Sequence, residues 1–314
     1  MKLEFQMEDD EADAEKAVNA YNTLKDNGMK VFIGTVTTGA CLSVISQTKA
    51  DNMFQITPSA SAAKVIANDN CFQVCFTDPN QGTASADYIA SKGLAKKVGV
   101  IYNSSDAYSS GVYDNFKAEA AAKGLDLVAS EAFTGDSKQD FSSQLSKIKA
   151  SGAELIFLPI YYQEASLILS QAKTAGITAK FFGCDGLDGL LNIENFDKSL
   201  AENVMLLTPF AANATDETTK KFVAAYNAKF DPSTLNQFAA DAYDAVYIVK
   251  AAAEKAGVTG DMSVSDICNA LKGAMSDRTV YGVTGSGMTW KATGEVNKEP
   301  KAVKIENGEY QPMD

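Results

Sequence analysis

Again and again this chain closes a helical stretch with a glycine and passes straight into a short β-branched or aromatic run. Asn27-Gly28 precedes Met29–Gly34, Lys123-Gly124 precedes Leu125–Ala129, Ser151-Gly152 precedes Ala153–Leu158, and Ala175-Gly176 precedes Ile177–Gly183. Glycine takes the left-handed conformation that ends a helix without steric cost, and a strand directly after it is the αβ half of a βαβ unit. Repetition at this rate predicts α/β architecture with a doubly wound parallel sheet.

In such a fold the loops at the carboxyl ends of the strands lie side by side, and that is where ligands bind. The stretch Val31–Ser61 supplies two of them. Strand Val31–Gly34 opens into Thr35-Val36-Thr37-Thr38-Gly39, helix Ala40–Lys49 follows, and strand Phe54–Thr57 opens into Pro58-Ser59-Ala60-Ser61. Small hydroxyl residues let backbone approach a ligand closely, and the helix after Thr38-Gly39 turns its first N–H groups toward the loop. Thr37, Thr38, Ser59, Ala60 and Ser61 are therefore candidates to hold a small anion or zwitterion. Ser and Thr also begin helices in any protein, so on the residues alone a capping role stands beside the binding role.

At 314 residues there is room for two domains, each with its own core. A formal charge of −12 and a pI near 4.6 oppose nucleic acid and anionic lipid surfaces, so no nucleic-acid partner is expected. The sequence has no histidine, which removes His-assisted nucleophiles, imidazole proton shuttles and His-based metal sites. Cys41, Cys71, Cys75, Cys184 and Cys268 are odd in number and dispersed, a pattern of buried small hydrophobes rather than of disulfides or a metal knuckle. Gly34 to Gly39 is followed by Ala40-Cys41 instead of Lys-Ser/Thr, so there is no phosphate-binding loop, and Gly183, Gly186 and Gly189 lack dinucleotide spacing. No cofactor and no metal is expected.

In chain order, Lys2–Gln6 reads as a strand, and Glu8-Asp9-Asp10-Glu11-Ala12-Asp13 reads as the dipole-favoured start of a helix more than as a metal site. No export signal is read at this start. A fresh alternation begins after Thr77-Asp78-Pro79, which places a domain boundary near Asp78. Later come strand Val204–Thr208, helices Asp216–Phe230, Gln237–Ala256 and Val264–Met275, and a glycine-punctuated set of short strands from Thr279 to Asp314. Within the second alternation, Tyr108, the run Tyr161-Tyr162 and the loop Cys184-Asp185-Gly186-Leu187-Asp188-Gly189 fall near strand ends. Aromatic faces and a carboxylate there suit an ammonium group, although a strand-end Tyr also packs and an Asp also caps.

Taken together these segments resemble the Leu/Ile/Val-type amino-acid-binding proteins of ABC transporters, with the type I periplasmic-binding-protein fold. The similar segments run from Leu3 to about Gly308. They include Glu8-Asp9-Asp10, Ile33-Gly34 with Thr37-Thr38, Thr57-Pro58-Ser59-Ala60-Ser61, Thr77-Asp78-Pro79-Asn80-Gln81-Gly82, Ser105-Asp106-Ala107-Tyr108, Tyr161-Tyr162, Gly183-Cys184-Asp185-Gly186, Ala242-Tyr243-Asp244-Ala245 and Thr289-Trp290.

The resemblance implies two α/β lobes joined by three crossovers, residues 1–77 with 209–299 and residues 78–208 with 300–314, and a ligand cleft between them. It implies that Thr38 and Ser61, with the Ser59-Ala60 backbone, hold an α-carboxylate and part of the ammonium. Asp185 would pair with the ammonium, where many relatives carry Glu. Tyr108, Tyr161 or Tyr162, and Phe238 would wall the side-chain end. Function by this resemblance is capture of a small, branched-chain or aliphatic amino acid outside the cytoplasm, in the periplasm or on a cell-surface lipoprotein, for an ABC-transporter permease, and not catalysis. A ligand-sensing receptor domain of the same fold is the alternative, and a carboxylate-based α/β enzyme a remoter one. The family also carries a strand and helix before the segment matching Lys2–Gln6, so the first lobe is expected to be incomplete.

Overall fold

The computed structural model describes residues 2–313; the outermost positions of the expected segments, Met1 and Asp314, lie outside the described residues. At Gly28, Gly124, Gly152 and Gly176 φ is +89°, +72°, +69° and +65°, so each glycine marked in the sequence is a left-handed helix exit. The elements in order are α1 (Ala14–Asp26), β1 (Phe32–Ile33), α2 (Thr38–Ala50), β2 (Gln55–Thr57), β3 (Cys71–Gln73), α3 (Asp78–Ser91), β4 (Lys97–Asn103), α4 (Ala107–Ala122) and β5 (Asp126–Phe133). They continue with α5 (Ser142–Ser151), β6 (Leu155–Leu158), α6 (Tyr162–Thr174), β7 (Lys180–Gly183), β8 (Met205–Thr208), α7 (Glu217–Asn227), α8 (Gln237–Ala256), α9 (Val264–Met275), β9 (Lys301–Glu306) and β10 (Glu309–Pro312).

The chain divides into two units, Met1–Thr77 with Phe238–Glu299 and Asp78–Gln237 with Pro300–Asp314. The second crossover, expected near Thr208, thus falls at Gln237. Residues after Thr208 stay with the second unit because their contacts lie there. Ala211 is buried beside Leu206 and Val303, the Asn213 amide donates to Tyr310 O at 2.7 Å, and the Asn192 amide donates to Leu235 O at 3.3 Å.

In the first unit β1, β2 and β3 form a parallel sheet in that order. Phe54, Ile56, Phe72 and Val74 bury one layer against Ile248, Ala252, Ile267 and Leu271 of α8 and α9. On another side Phe32, Ala40, Val44 and Met53 pack with Ala17 and Tyr21 of α1. In the second unit the strand order is β10-β9-β8-β7-β6-β4-β5, parallel from β5 to β8, with β9 and β10 added antiparallel at the end. The run Leu155–Leu158 is wholly buried, as a central parallel strand covered on both faces requires. No helix among the described residues is long and apolar enough to cross a membrane.

Two expectations change. Lys2–Gln6 is not a strand: Phe5 and Met7 are 61% and 90% exposed, and a polar–apolar alternation without a partner strand leaves its backbone to water. The region from Thr279 onward holds isolated antiparallel bridges, Val280 with Met288 and Trp290 with Val296, before β9 and β10 pair. The acidic run does cap: the Asp13 carboxylate accepts from Glu15 N and Lys16 N, both at 2.9 Å. Among the described residues no cluster of acids and thiols could hold a metal ion.

The first unit also encloses a charged cluster that the sequence did not announce. Lys298 Nζ donates to Asp241 Oδ1 at 3.1 Å and to Thr284 Oγ1 at 2.6 Å. Asp244 accepts from Val283 N, Thr284 N and Thr284 Oγ1 at 2.7–2.8 Å. Gly282 is required here, since a Cβ would stand 2.4 Å from Asp244 Oδ2. Burial pushes the Asp241 carboxyl up to about 6, against the pull of Lys298. A Lys298→Met variant strips the buried Asp241 carboxylate of its cation, and a loss of about 3–5 kcal/mol in urea unfolding is expected at neutral pH. Without Lys298 the folded-state value for Asp241 rises further above its unfolded value. Stability tied to such a group is present below the unfolded value and lost as pH rises through the folded one, so the deficit should be smaller at pH 5 than at pH 8.

Candidate functional site

In the first unit the two hydroxyl-rich loops leave β1 and β2 and are tied to each other by buried side chains. Thr57 Oγ1 donates to Thr35 O at 2.6 Å and accepts from Ala60 N at 2.9 Å. Thr38 Oγ1 accepts from Ser61 N at 3.2 Å. Two glutamines missed by the sequence reading complete the frame. Gln55 Nε2 donates to Gly34 O at 2.9 Å while its Oε1 accepts from Thr48, and Gln73 Nε2 donates to Ala60 O at 2.8 Å. Trp290 Nε1 donates to Gln73 O at 2.7 Å and carries the frame to the far end of the unit's sequence.

This network uses backbone and leaves two hydroxyls unspent. Ser61 is 1% exposed and, among the described residues, its Oγ has no hydrogen-bond partner; nor does Thr37 Oγ1. Thr37 is the N-cap of α2 by its extended backbone (φ −92°, ψ 150°), yet its side chain makes no cap hydrogen bond. Thr38 and Ala60 are buried and Ser59 is 7% exposed. A buried hydroxyl without a partner costs about 1–3 kcal/mol, so its persistence beside an uncapped helix start describes an acceptor-shaped deficit, suited to an anion.

In the second unit Asp185 begins a short turn after β7 and is 3% exposed. Tyr108 Oη donates to Asp185 Oδ1 at 2.8 Å and accepts from Gly186 N at 3.1 Å, so one hydroxyl holds both the carboxylate and the backbone that follows it. Burial and the Asp185 charge push the Tyr108 phenol well above its ordinary range, which keeps it a donor. Gly186 allows this approach, because a Cβ there would lie 2.8 Å from Tyr108 Oη and 2.7 Å from Ile160 O. Tyr161 stacks on Tyr108 with centroids 4.9 Å apart. Tyr162 turns elsewhere: its ring lies against Gly189 and packs with Leu190, Leu191 and Leu169. The structure thus brings Tyr108, Tyr161 and Asp185 together and separates Tyr162 from them. Phe238, the first residue of the first unit after the crossover, is half-buried at the start of α8.

Sequence reading also passed over Gln81 and Gln237. Gln81 is buried, with its Oε1 accepting from Asp185 N at 3.4 Å. Gln237 Nε2 donates to Asp185 O at 2.8 Å, and Gln237 N donates to Asp188 Oδ2 at 2.8 Å. Asp188 is therefore bound to the start of α8. Gln81 lies within one of the segments that carry the family resemblance, without a role read for it, and Gln237 had no signal in the sequence.

Fold, hydroxyl-rich loops and the stacked Tyr108–Tyr161 pair define a class. The chain belongs to the periplasmic binding protein family, whose sequence profile matches residues 1–309. Among individual relatives it is 30% identical to the Leu/Ile/Val-binding protein homolog 3 of Brucella melitensis, over 94% of this chain and 78% of that protein. Its structure matches the leucine-binding protein LivK of Thermotoga maritima at a TM-score of 0.86 and 25% identity, over 98% of this chain and 85% of that one. It matches the branched-chain amino acid transporter substrate-binding protein LivJ of Streptococcus pneumoniae, solved with isoleucine, at a TM-score of 0.84 and 26% identity, over 97% and 84%.

The Tyr108 contact is open to test. Tyr108→Phe keeps the stacked ring and removes the donor to a buried carboxylate, so unfolding free energy should fall by about 1–3 kcal/mol in urea denaturation. No change would mean that the hydroxyl does not hold Asp185.

Proposed function

We propose that this protein is an extracytoplasmic substrate-binding protein that captures a small amino acid, branched-chain or aliphatic, and hands it to the permease of an ABC transporter without chemically altering it. The observation that carries the reading is the buried Ser61 hydroxyl, without a hydrogen-bond partner among the described residues, beside a start of α2 whose N-cap side chain makes no cap hydrogen bond. An α-carboxylate supplies the acceptor oxygens that this hydroxyl, Thr37 and the first N–H groups of the helix call for. Asp185, presented by Tyr108, meets the α-ammonium through a charge-assisted hydrogen bond. In the second unit the stacked rings of Tyr108 and Tyr161 offer apolar faces to an uncharged side chain. Kinship with proteins named for Leu, Ile and Val, and with a structure holding isoleucine, supports the branched-chain assignment.

Calorimetry with Leu, Ile, Val, Ala and Phe tests it. Binding of aliphatic amino acids at micromolar affinity or tighter is expected for the protein. Hydrogen bonds to charged groups contribute about 1.5–3 kcal/mol, so Ser61→Ala should weaken leucine binding by about tenfold and Asp185→Ala by about a hundredfold. Absence of heat with every amino acid would overturn the reading, and consumption of the ligand during the measurement would point to an enzyme.

A further inference from the structure

A loop that presents a charge to a ligand must itself be held, and the turn Asp185–Asp188 is held from a place remote in sequence. Gln237 is 0% exposed. Its Nε2 donates to Asp185 O at 2.8 Å, its Oε1 accepts from Thr208 Oγ1 at 3.0 Å, and its backbone N donates to Asp188 Oδ2 at 2.8 Å. The turn's own closing bond, Asp188 N to Asp185 O at 2.9 Å, occupies the same carbonyl, so that oxygen receives two donors. One residue therefore bonds both ends of the turn and anchors it to the end of β8.

The amide has one workable orientation. Flipped, its oxygen would face the Asp185 carbonyl, two acceptors with no proton between them, in a site closed to water. In the orientation present, Thr208 fixes the amide, and the amide fixes the Asp185 backbone. The other atoms of Asp185 are bound independently, its N to Gln81 and its Oδ1 to Tyr108, whose ring is pinned by Tyr161. With the carboxylate held at one end and the amide N at another, the carbonyl bond is the third point that sets how the residue is turned.

We infer that Gln237 is a positioning residue for Asp185: clamped by Thr208, its side-chain amide sets the direction in which the Asp185 carboxylate is presented to an amino-acid ammonium. The inference rests on the proposed amino-acid binding. It gives a binding role to the last residue of the second unit, where α8 begins and the chain crosses.

The test is a double-mutant cycle on the full chain, with leucine affinity measured by calorimetry and melting temperature by circular dichroism. Gln237→Leu removes the amide at similar size, and Gln237→Met serves if the Leu variant does not fold. Gln237→Leu should weaken leucine binding by about tenfold while the melting temperature stays within about 3 °C of the parent. In an Asp185→Ala background the same substitution should change affinity by less than about twofold, because the group it positions is gone. Equal loss in both backgrounds, loss that appears only with a lowered melting temperature, or unchanged binding by Gln237→Leu overturns the inference while amino-acid binding stands. A parent protein that binds no branched-chain amino acid removes the proposed function, and this inference with it.

Discussion

Backbone leaving the carboxyl edge of a parallel sheet has no ladder partner, and where it stays out of water each N–H and C=O must be bonded by something else. Here that duty falls to glutamine amides. Gln55, Gln73, Gln81 and Gln237 are all 0% exposed. They bond Gly34 O, Ala60 O, Asp185 N and Asp185 O, in that order. Each reaches from an element's regular backbone to a loop that carries a hydroxyl or an acid. A primary amide suits the task because it offers donors and acceptors at the end of a long arm, and so can satisfy a carbonyl or an N–H that no strand can reach. The loops of both units depend on these bonds for a fixed shape.

That dependence explains what was legible in the sequence. Glycine exits were legible because the left-handed conformation is a local property, and so were the strand-end loops that follow them. Thr38, Ser61, Tyr108 and Asp185 could be singled out on that basis together with a family resemblance. The glutamines could not. Glutamine is mostly a surface residue, and its partners here are backbone atoms, which have no sequence signature. Lys298 was hidden for the same reason: a lysine 4% exposed between Asp241 and Thr284 reads as an ordinary surface charge until the fold closes around it.

Where the sequence misled, the missing information was nonlocal. Lys2–Gln6 alternates like a strand, but a strand exists only through its neighbour, and this segment has none among the described residues. The second crossover was set at a strand end, Thr208, whereas the chain changes unit only after Gln237. Contacts of Ala211 and Asn213 with β9 and β10 decide that, and those strands lie far along the chain. Tyr161 and Tyr162 are adjacent, so nothing in the sequence tells which one joins Tyr108. A residue's turn at the start of α6 sends one ring to Tyr108 and the other to Gly189.

The two sets of candidate residues differ in how far their polar atoms are already engaged. In the second unit the polar atoms around Asp185 are already engaged: Tyr108 Oη both donates and accepts, and the Asp185 backbone is bonded at N and O. The carboxylate is thus pre-oriented, and little ordering cost remains when a cation arrives. In the first unit Ser61 Oγ and Thr37 Oγ1 remain unspent, so part of the folding free energy is forgone until an acceptor is supplied. Under the proposed reading, a ligand carboxylate at these hydroxyls would recover what folding left unmet.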